Sequence, residues 1–196
     1  MQDSGNCYKV RLVLEQLSLA YELEDINILN GESRTDSFFE KNLNGRVPTL
    51  ELEQGGYLPE SNAILFYLAD GTPLLPDDRL SKAQALQWMF FEQYSHEPFI
   101  ATSRFWMSIL KQPEVYRKEI AAKKPGGEAA LGVMENHLVS NDFFAANTYS
   151  IADVALYAYT HVCHQGGFSL EPYPSIRSWI DRVASRPRHV TMDFRP

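Results

Sequence analysis

Apolar residues at Val10, Val13, Leu14 and Leu17 recur at helical spacing, while Lys9, Arg11, Glu15 and Gln16 fall on the other face, so residues 6–17 are predicted to form a helix. Residues 21–28 read as a strand, although Leu23 is out of phase with Ile26 and Ile28. A short helix is expected over 36–42. Val47-Pro48-Thr49-Leu50-Glu51-Leu52 then enters an alternating strand, and Gln54-Gly55-Gly56 turns the chain into Tyr57-Leu58-Pro59. The apolar run 63–69 follows Glu60-Ser61-Asn62 and reads as a buried helix, its start marked by the Ser61 hydroxyl.

The texture changes at Gly71-Thr72-Pro73-Leu74-Leu75-Pro76-Asp77-Asp78, where two prolines and two aspartates predict a linker and a new helix start. Beyond it, helical periodicity prevails. Residues 80–110 form a long aromatic-rich segment, with Pro98 expected at a kink or break. Residues 113–124 are charged and amphipathic, and Pro125-Gly126-Gly127 is expected to interrupt them. Residues 128–139, 151–163 and 174–185 supply three more helices. The pattern predicts a small α/β domain over residues 1–73 joined to an all-α domain over residues 81–196.

Composition narrows the class. The chain has 196 residues, 44% hydrophobic and 22% charged, the balance of a globular protein rather than a disordered tail, a rod or a coiled coil. Eighteen Lys and Arg against 25 Asp and Glu leave a formal charge of −7. Such a surface repels a phosphate backbone, which argues against nucleic-acid binding. Cys7 and Cys163 are too few for a disulfide framework and fit a reducing cytosol. The polar start Met1-Gln2-Asp3-Ser4-Gly5 predicts no signal peptide. No apolar run reaches the roughly 20 residues of a membrane span, so a cytoplasmic protein is expected.

Three stretches carry a family likeness: Ser4-Gly5-Asn6-Cys7-Tyr8-Lys9-Val10-Arg11; Asn44-Gly45-Arg46-Val47-Pro48-Thr49-Leu50 with Glu60-Ser61-Asn62-Ala63-Ile64; and Ser150-Ile151-Ala152-Asp153-Val154-Ala155. In this order and spacing the chain resembles the cytosolic glutathione S-transferases, bacterial serine-type members in particular, over nearly its whole length. The resemblance implies a thioredoxin-like domain followed by a helical domain, assembled as a homodimer. It also implies glutathione as co-substrate without a metal, and a detoxifying attack of its thiol on a small hydrophobic electrophile. Two alternatives share the fold: a non-catalytic interaction or dimerisation module, and a glutathione-dependent disulfide reductase using Cys7.

The resemblance assigns roles residue by residue. Pro48 is implied to be cis, turning the Val47 N–H and C=O toward the cysteinyl backbone of glutathione as a short antiparallel strand would. Glu60 and Ser61 stand at a helix start, where free amides and the positive dipole end suit the γ-glutamyl carboxylate, with the ammonium near Glu60. Lys41 and Arg46 are candidates for the glycyl carboxylate, and each also reads as a solvated surface charge. Ser4 is implied to donate to the glutathione sulfur, lowering the thiol pKa from about 8.5. Asn6 offers a second donor. Cys7 reads as a small buried apolar residue, with a mixed disulfide as the functional alternative.

Other residues read as structural. Ser150 and Asp153 have the spacing of a capping box. Trp88, Met89, Phe90, Phe91, Phe99, Phe105 and Trp106 read mostly as core, with Tyr94, His96 and Arg104 the candidates to face a cleft. His161, His164 and Cys163 lack a fourth ligand at suitable spacing for a metal. One departure stands out: the family's first β-strand has no counterpart before Asn6, since Gln2, Asp3, Ser4 and Gly5 are poor strand formers. A late start or a truncation is implied, and with it a weakly stable N-terminal domain or a displaced N-terminus.

Overall fold

The computed structural model describes residues 1–196, which divide into two compact units: Met1–Asp70 together with Pro187–Pro196, and Gly71–Arg186. In the first unit, helix α1 (Gly5–Gln16) starts where the Ser4 hydroxyl accepts from the Cys7 N–H at 3.3 Å. It buries Tyr8, Leu12, Val13 and Leu14 and packs against α3 (Ser61–Ala69), which turns Ile64, Leu65 and Ala69 inward. Between them lie the single turn α2 (Asp36–Phe39), capped by Thr35, and strands β1 (Thr49–Glu51) and β2 (Tyr57–Pro59). The strands pair antiparallel, with Thr49 opposite Pro59, Leu50 opposite Leu58 and Glu51 opposite Tyr57. Gly55 and Gly56, at φ +89° and +95°, make the turn that joins them.

The sheet has these two strands and no others, so the strand expected over 21–28 is absent. Residues 21–27 have no neighbour to pair with, and Glu22, Leu23, Glu24 and Asp25 are exposed. The out-of-phase Leu23 was the sign that no face of this segment is consistently apolar. The segment ends in a single 3₁₀ turn, Ile28–Asn30, capped by Asn27. Residues 1–4 form no strand either.

The C-terminal tail belongs with this unit rather than with the helices before it. The Tyr8 hydroxyl donates to the Val190 carbonyl at 2.7 Å, and Arg11 Nη2 donates to the Met192 carbonyl at 2.7 Å. Gln2 Nε2 donates to the carbonyls of Met192 and Phe194 at 3.0 and 2.8 Å. Nothing in the tail's own composition announces this; its partners are side chains at the other end of the chain.

The second unit is helical throughout. Helix α4 (Arg79–Phe91), capped by the Asp78 carboxylate on the Ser81 N–H, runs through a π turn at Glu92–His96 into α5 (Glu97–Arg104), then through a second π turn at Phe105–Ile109. Pro98 sits in the first turn of α5, where a missing N–H costs little, so the expected break does not occur. Nor does Pro125-Gly126-Gly127 interrupt: α6 (Arg117–Leu138) is one helix of 22 residues. A Cβ at Gly126 would lie 2.3 Å from Phe99 Cε1, and one at Gly127 would lie 2.3 Å from Phe168 Cε1. The two glycines let aromatic rings rest on the helix backbone, and that packing offsets the roughly 1 kcal/mol propensity cost of each.

Helix α7 (Ile151–Thr160) is buried at every residue and passes through the core of this unit. It ends three residues before the predicted boundary and gives way to a 3₁₀ turn at Cys163–Gly166. Helix α8 (Pro174–Ala184) sends Ile176, Trp179 and Val183 into the same core. There Trp88, Phe144 and Trp179 form an aromatic chain with ring centres 4.6 and 5.1 Å apart.

Candidate active site

Two helix starts and one loop of the first unit bring the candidate groups together. At α1, the Ser4 oxygen accepts the capping bond from the Cys7 N–H, and the Ser4 hydroxyl also meets the Cys7 thiol. Ser4, Asn6 and Cys7 are all half-buried, within reach of solvent but not fully exposed to it. At α3, the Ser61 hydroxyl donates to Asn6 Oδ1 at 3.2 Å. That bond spans 55 positions in sequence and ties the first turns of α1 and α3 into one polar floor.

Glu60 precedes α3 with φ +71° and ψ 111°, a left-handed backbone that few side chains adopt. Its carbonyl accepts from Ile64 N–H at 2.9 Å and so opens the helix. The Glu60 side chain makes no capping bond to α3, whose first turn carries the positive end of the helix dipole. The exposed Glu60 carboxylate accepts from Asn44 Nδ2 at 3.5 Å.

The loop before β1 supplies the third part. The Val47-Pro48 bond is cis, and no hydrogen bond within the chain engages the N–H or C=O of Val47. Buried Asn42 braces the loop: its Nδ2 donates to the Arg46 carbonyl at 2.8 Å and to Thr49 Oγ1 at 3.3 Å, while its Oδ1 accepts from the Asn44 N–H at 2.9 Å. Gly45, at φ +61°, could carry no side chain, because a Cβ there would meet Arg34, Phe39 and the Ser33 carbonyl at 2.7 to 2.8 Å. Asn42 was not among the residues picked out from the sequence. The Asn-Leu-Asn-Gly pattern is a turn signal that points to it.

The two candidate cations differ. Lys41 Nζ is paired with Glu24 at 3.3 Å and lies over the Tyr57 ring, and the Glu24 bond raises its pKa. Arg46 is exposed and makes no ion pair. Cys7 does not read as a ready thiolate: burial pushes its pKa up, against the lowering effects of the Ser4 hydroxyl and the Arg11 charge.

In the second unit, His96 is fully buried and shares a 2.9 Å hydrogen bond with Thr160 Oγ1. Thr160 spends its own hydrogen on the Leu156 carbonyl at 2.7 Å, so His96 Nε2 is the donor. Arg104 is buried as well and donates to Gln165 Oε1 at 2.7 Å. Both are interior braces rather than groups facing a cleft; Tyr94, by contrast, is 85% exposed. Ser150 and Asp153 form the expected capping box. The sequence did not reveal that Asp153 also accepts from Trp179 Nε1 at 2.9 Å and from the Phe144 N–H at 3.2 Å. Burial pushes the Asp153 carboxyl up to about 7. No group of three His, Cys, Asp or Glu side chains is placed to hold a metal ion.

Comparison with known proteins identifies the family. The glutathione S-transferase N-terminal domain profile matches residues 3–70, and the C-terminal domain profile of the same family matches residues 88–187. Glutathione S-transferase 1 of Schizosaccharomyces pombe is 32% identical over 93% of this chain and 88% of its own. The crystal structure of a glutathione S-transferase from Pseudomonas fluorescens superposes with a TM-score of 0.95 at 51% identity, covering 97% of this chain and 95% of that one. A glutathione transferase from Burkholderia graminis, solved with two glutathione molecules bound per subunit, superposes with a TM-score of 0.77 at 25% identity over 95% of this chain and 82% of that one. The chain belongs to the glutathione S-transferase family, with the glutathione-binding transferase function of that family. No helix is long and apolar enough to cross a membrane.

Proposed function

We propose that the polar floor formed by Ser4, Asn6 and Ser61 holds glutathione for transfer to a small hydrophobic electrophile. The γ-glutamyl carboxylate sits on the amides that begin α3 and takes the Ser61 hydroxyl hydrogen from Asn6 Oδ1 as it binds, with its ammonium against the Glu60 carboxylate. The cysteinyl backbone pairs with the open N–H and C=O of Val47, beside Pro48. Arg46 takes the glycyl carboxylate in preference to Lys41, which is already paired with Glu24. Ser4 then turns its hydroxyl from the Cys7 thiol to the glutathione sulfur, with Asn6 as a second polar contact, and the thiol loses its proton to solvent more readily. The thiolate forms a carbon–sulfur bond to the electrophile, whose leaving group departs with the electron pair.

The observation that carries this reading is the 3.2 Å bond between Ser61 and Asn6, which joins the carboxylate-binding and thiol-binding helix starts. Calorimetric titration with glutathione tests it. Binding that weakens about tenfold or more in Glu60→Ala supports it, and a wild-type chain that registers no heat at millimolar glutathione overturns it. The raised Cys7 pKa favours transfer over a disulfide-reductase role, so Cys7→Ala should keep conjugating activity.

The chain also fits a homodimer in the reducing cytosol. Leu80, Phe90 and Tyr94 are 68%, 68% and 85% exposed along α4 and the π turn after it, an apolar stripe without acidic residues on a protein of charge −7. Both cysteines are free. Sedimentation of the purified protein would separate monomer from dimer.

A further inference from the structure

Arg11 is a cation in an unusual place. Its side chain lies in the body of the first unit at 3% exposure, and no carboxylate forms an ion pair with it. Nη2 donates to the Gln2 carbonyl at 3.1 Å and to the Met192 carbonyl at 2.7 Å, and the guanidinium lies 5.9 Å from the Tyr8 ring centre. Nε has no partner. Burial pulls the Arg11 pKa down. A buried charge held only by carbonyl dipoles is costly, and an apolar side chain of similar volume would serve packing as well or better.

The surroundings indicate a role for that charge. Ser4, Cys7, Tyr8 and Arg11 follow the i, i+3, i+4, i+7 spacing that places them along one stripe of α1. The Arg11 backbone therefore follows by about two turns the helix start that the glutathione reading assigns to the thiol, its guanidinium reaches the Gln2 carbonyl that precedes that start, and its charge adds to the positive end of the helix dipole. The same side chain is clasped from two directions. Gln2, two positions before Ser4, gives it a carbonyl and sends its own amide to the tail, and the tail presents the carbonyls of Val190, Met192 and Phe194 to Tyr8, Arg11 and Gln2. Arg188 Nε closes the clasp on the Glu15 carbonyl at 2.9 Å. The titratable groups around the guanidinium are Cys7 and Tyr8 on α1 and Tyr21 and Asp25 beyond it; His189 of the tail lies against the Tyr8 hydroxyl.

We infer that Arg11, held by the C-terminal strap of residues 188–195, is a positioning residue for the glutathione thiol: it fixes the Gln2–Ser4 segment and biases the first turn of α1 toward an anion. The inference rests on the glutathione reading above. No motif in the strap encodes it.

The test measures the thiol pKa of bound glutathione from thiolate absorbance against pH, alongside calorimetric binding of S-methylglutathione, which keeps every other group of the tripeptide. In Arg11→Met, thiolate at neutral pH should fall about tenfold, a shift of roughly one pKa unit. S-methylglutathione affinity should change less than about threefold, and Arg11→Lys should recover part of the thiolate. Should Arg11→Met fail to fold, Gln2→Ala removes two strap bonds from a half-buried position and should move the thiol pKa in the same direction by less. An unchanged thiol pKa in a folded variant, or an equal loss for both ligands, overturns the positioning role while leaving the glutathione site intact. A wild-type chain that binds neither ligand sinks both readings.

Discussion

Two helices in this protein are capped by a serine hydroxyl, and the two serines differ in what they have left to give. Ser150, at the start of α7, is wholly buried, and its hydroxyl and the Asp153 carboxylate are consumed by one another and by the backbone around them. Asp153 adds Trp179 and the Phe144 amide, so four donors converge on one carboxylate. Ser4, at the start of α1, is half-buried, and its hydroxyl engages the N–H and the thiol of Cys7, the second a weak bond that an incoming sulfur can replace. Closed polar groups hold a fold together; open ones bind. The distinction lies in whether a bond can be exchanged, and the residue type alone does not disclose it.

The contrast can be broken in order of expected effect. Asp153→Ala strands several buried donors and should cost about 4 kcal/mol of stability; urea unfolding that moves by less than about 1 kcal/mol would show that the closed cap is dispensable. Glu60→Ala should weaken glutathione binding by about 2 kcal/mol, the scale of a bond to a charged group, with stability barely altered. An equal loss in both would make Glu60 structural. Ser4→Ala should cost about 1 kcal/mol through the lost cap and raise the pKa of the bound thiol. Stability change without a thiol shift would make Ser4 the equal of Ser150.

A pH effect of the same site matches the first of these in size. The folded Asp153 carboxyl titrates near 7, above its ordinary value of 3.8. Between those limits the native state holds a proton that the unfolded chain has released, so this group's contribution is fully present below pH 4 and is lost as pH rises toward 7. Unfolding of Asp153→Asn followed from pH 4 to 7 should lack that decline.

How legible these features were depends on how local their causes are. The helices and the Ser150 box were readable because spacing and capping chemistry act within a few residues. The Ser4, Val47-Pro48 and Glu60-Ser61 segments could be recognised as a set, yet the bond from Ser61 to Asn6 joins residues 55 apart and no local pattern encodes it. Residues 21–28 were misread because short apolar runs look alike whether or not a neighbouring strand exists to pair with them. Pro125-Gly126-Gly127 read as a break because the rings of Phe99 and Phe168, which justify the glycines, come from elsewhere in the chain. The fate of Arg11 was hidden for the same reason: the carbonyl of Met192 is 181 positions away.

The backbone at Glu60 deserves a last reckoning. Its φ of +71° is a torsion that glycine occupies without penalty and other residues occupy only at the expense of thermal robustness. Glu60→Gly should therefore melt no earlier than the wild type, by relief of about 1 kcal/mol of strain, while losing its grip on the tripeptide's ammonium.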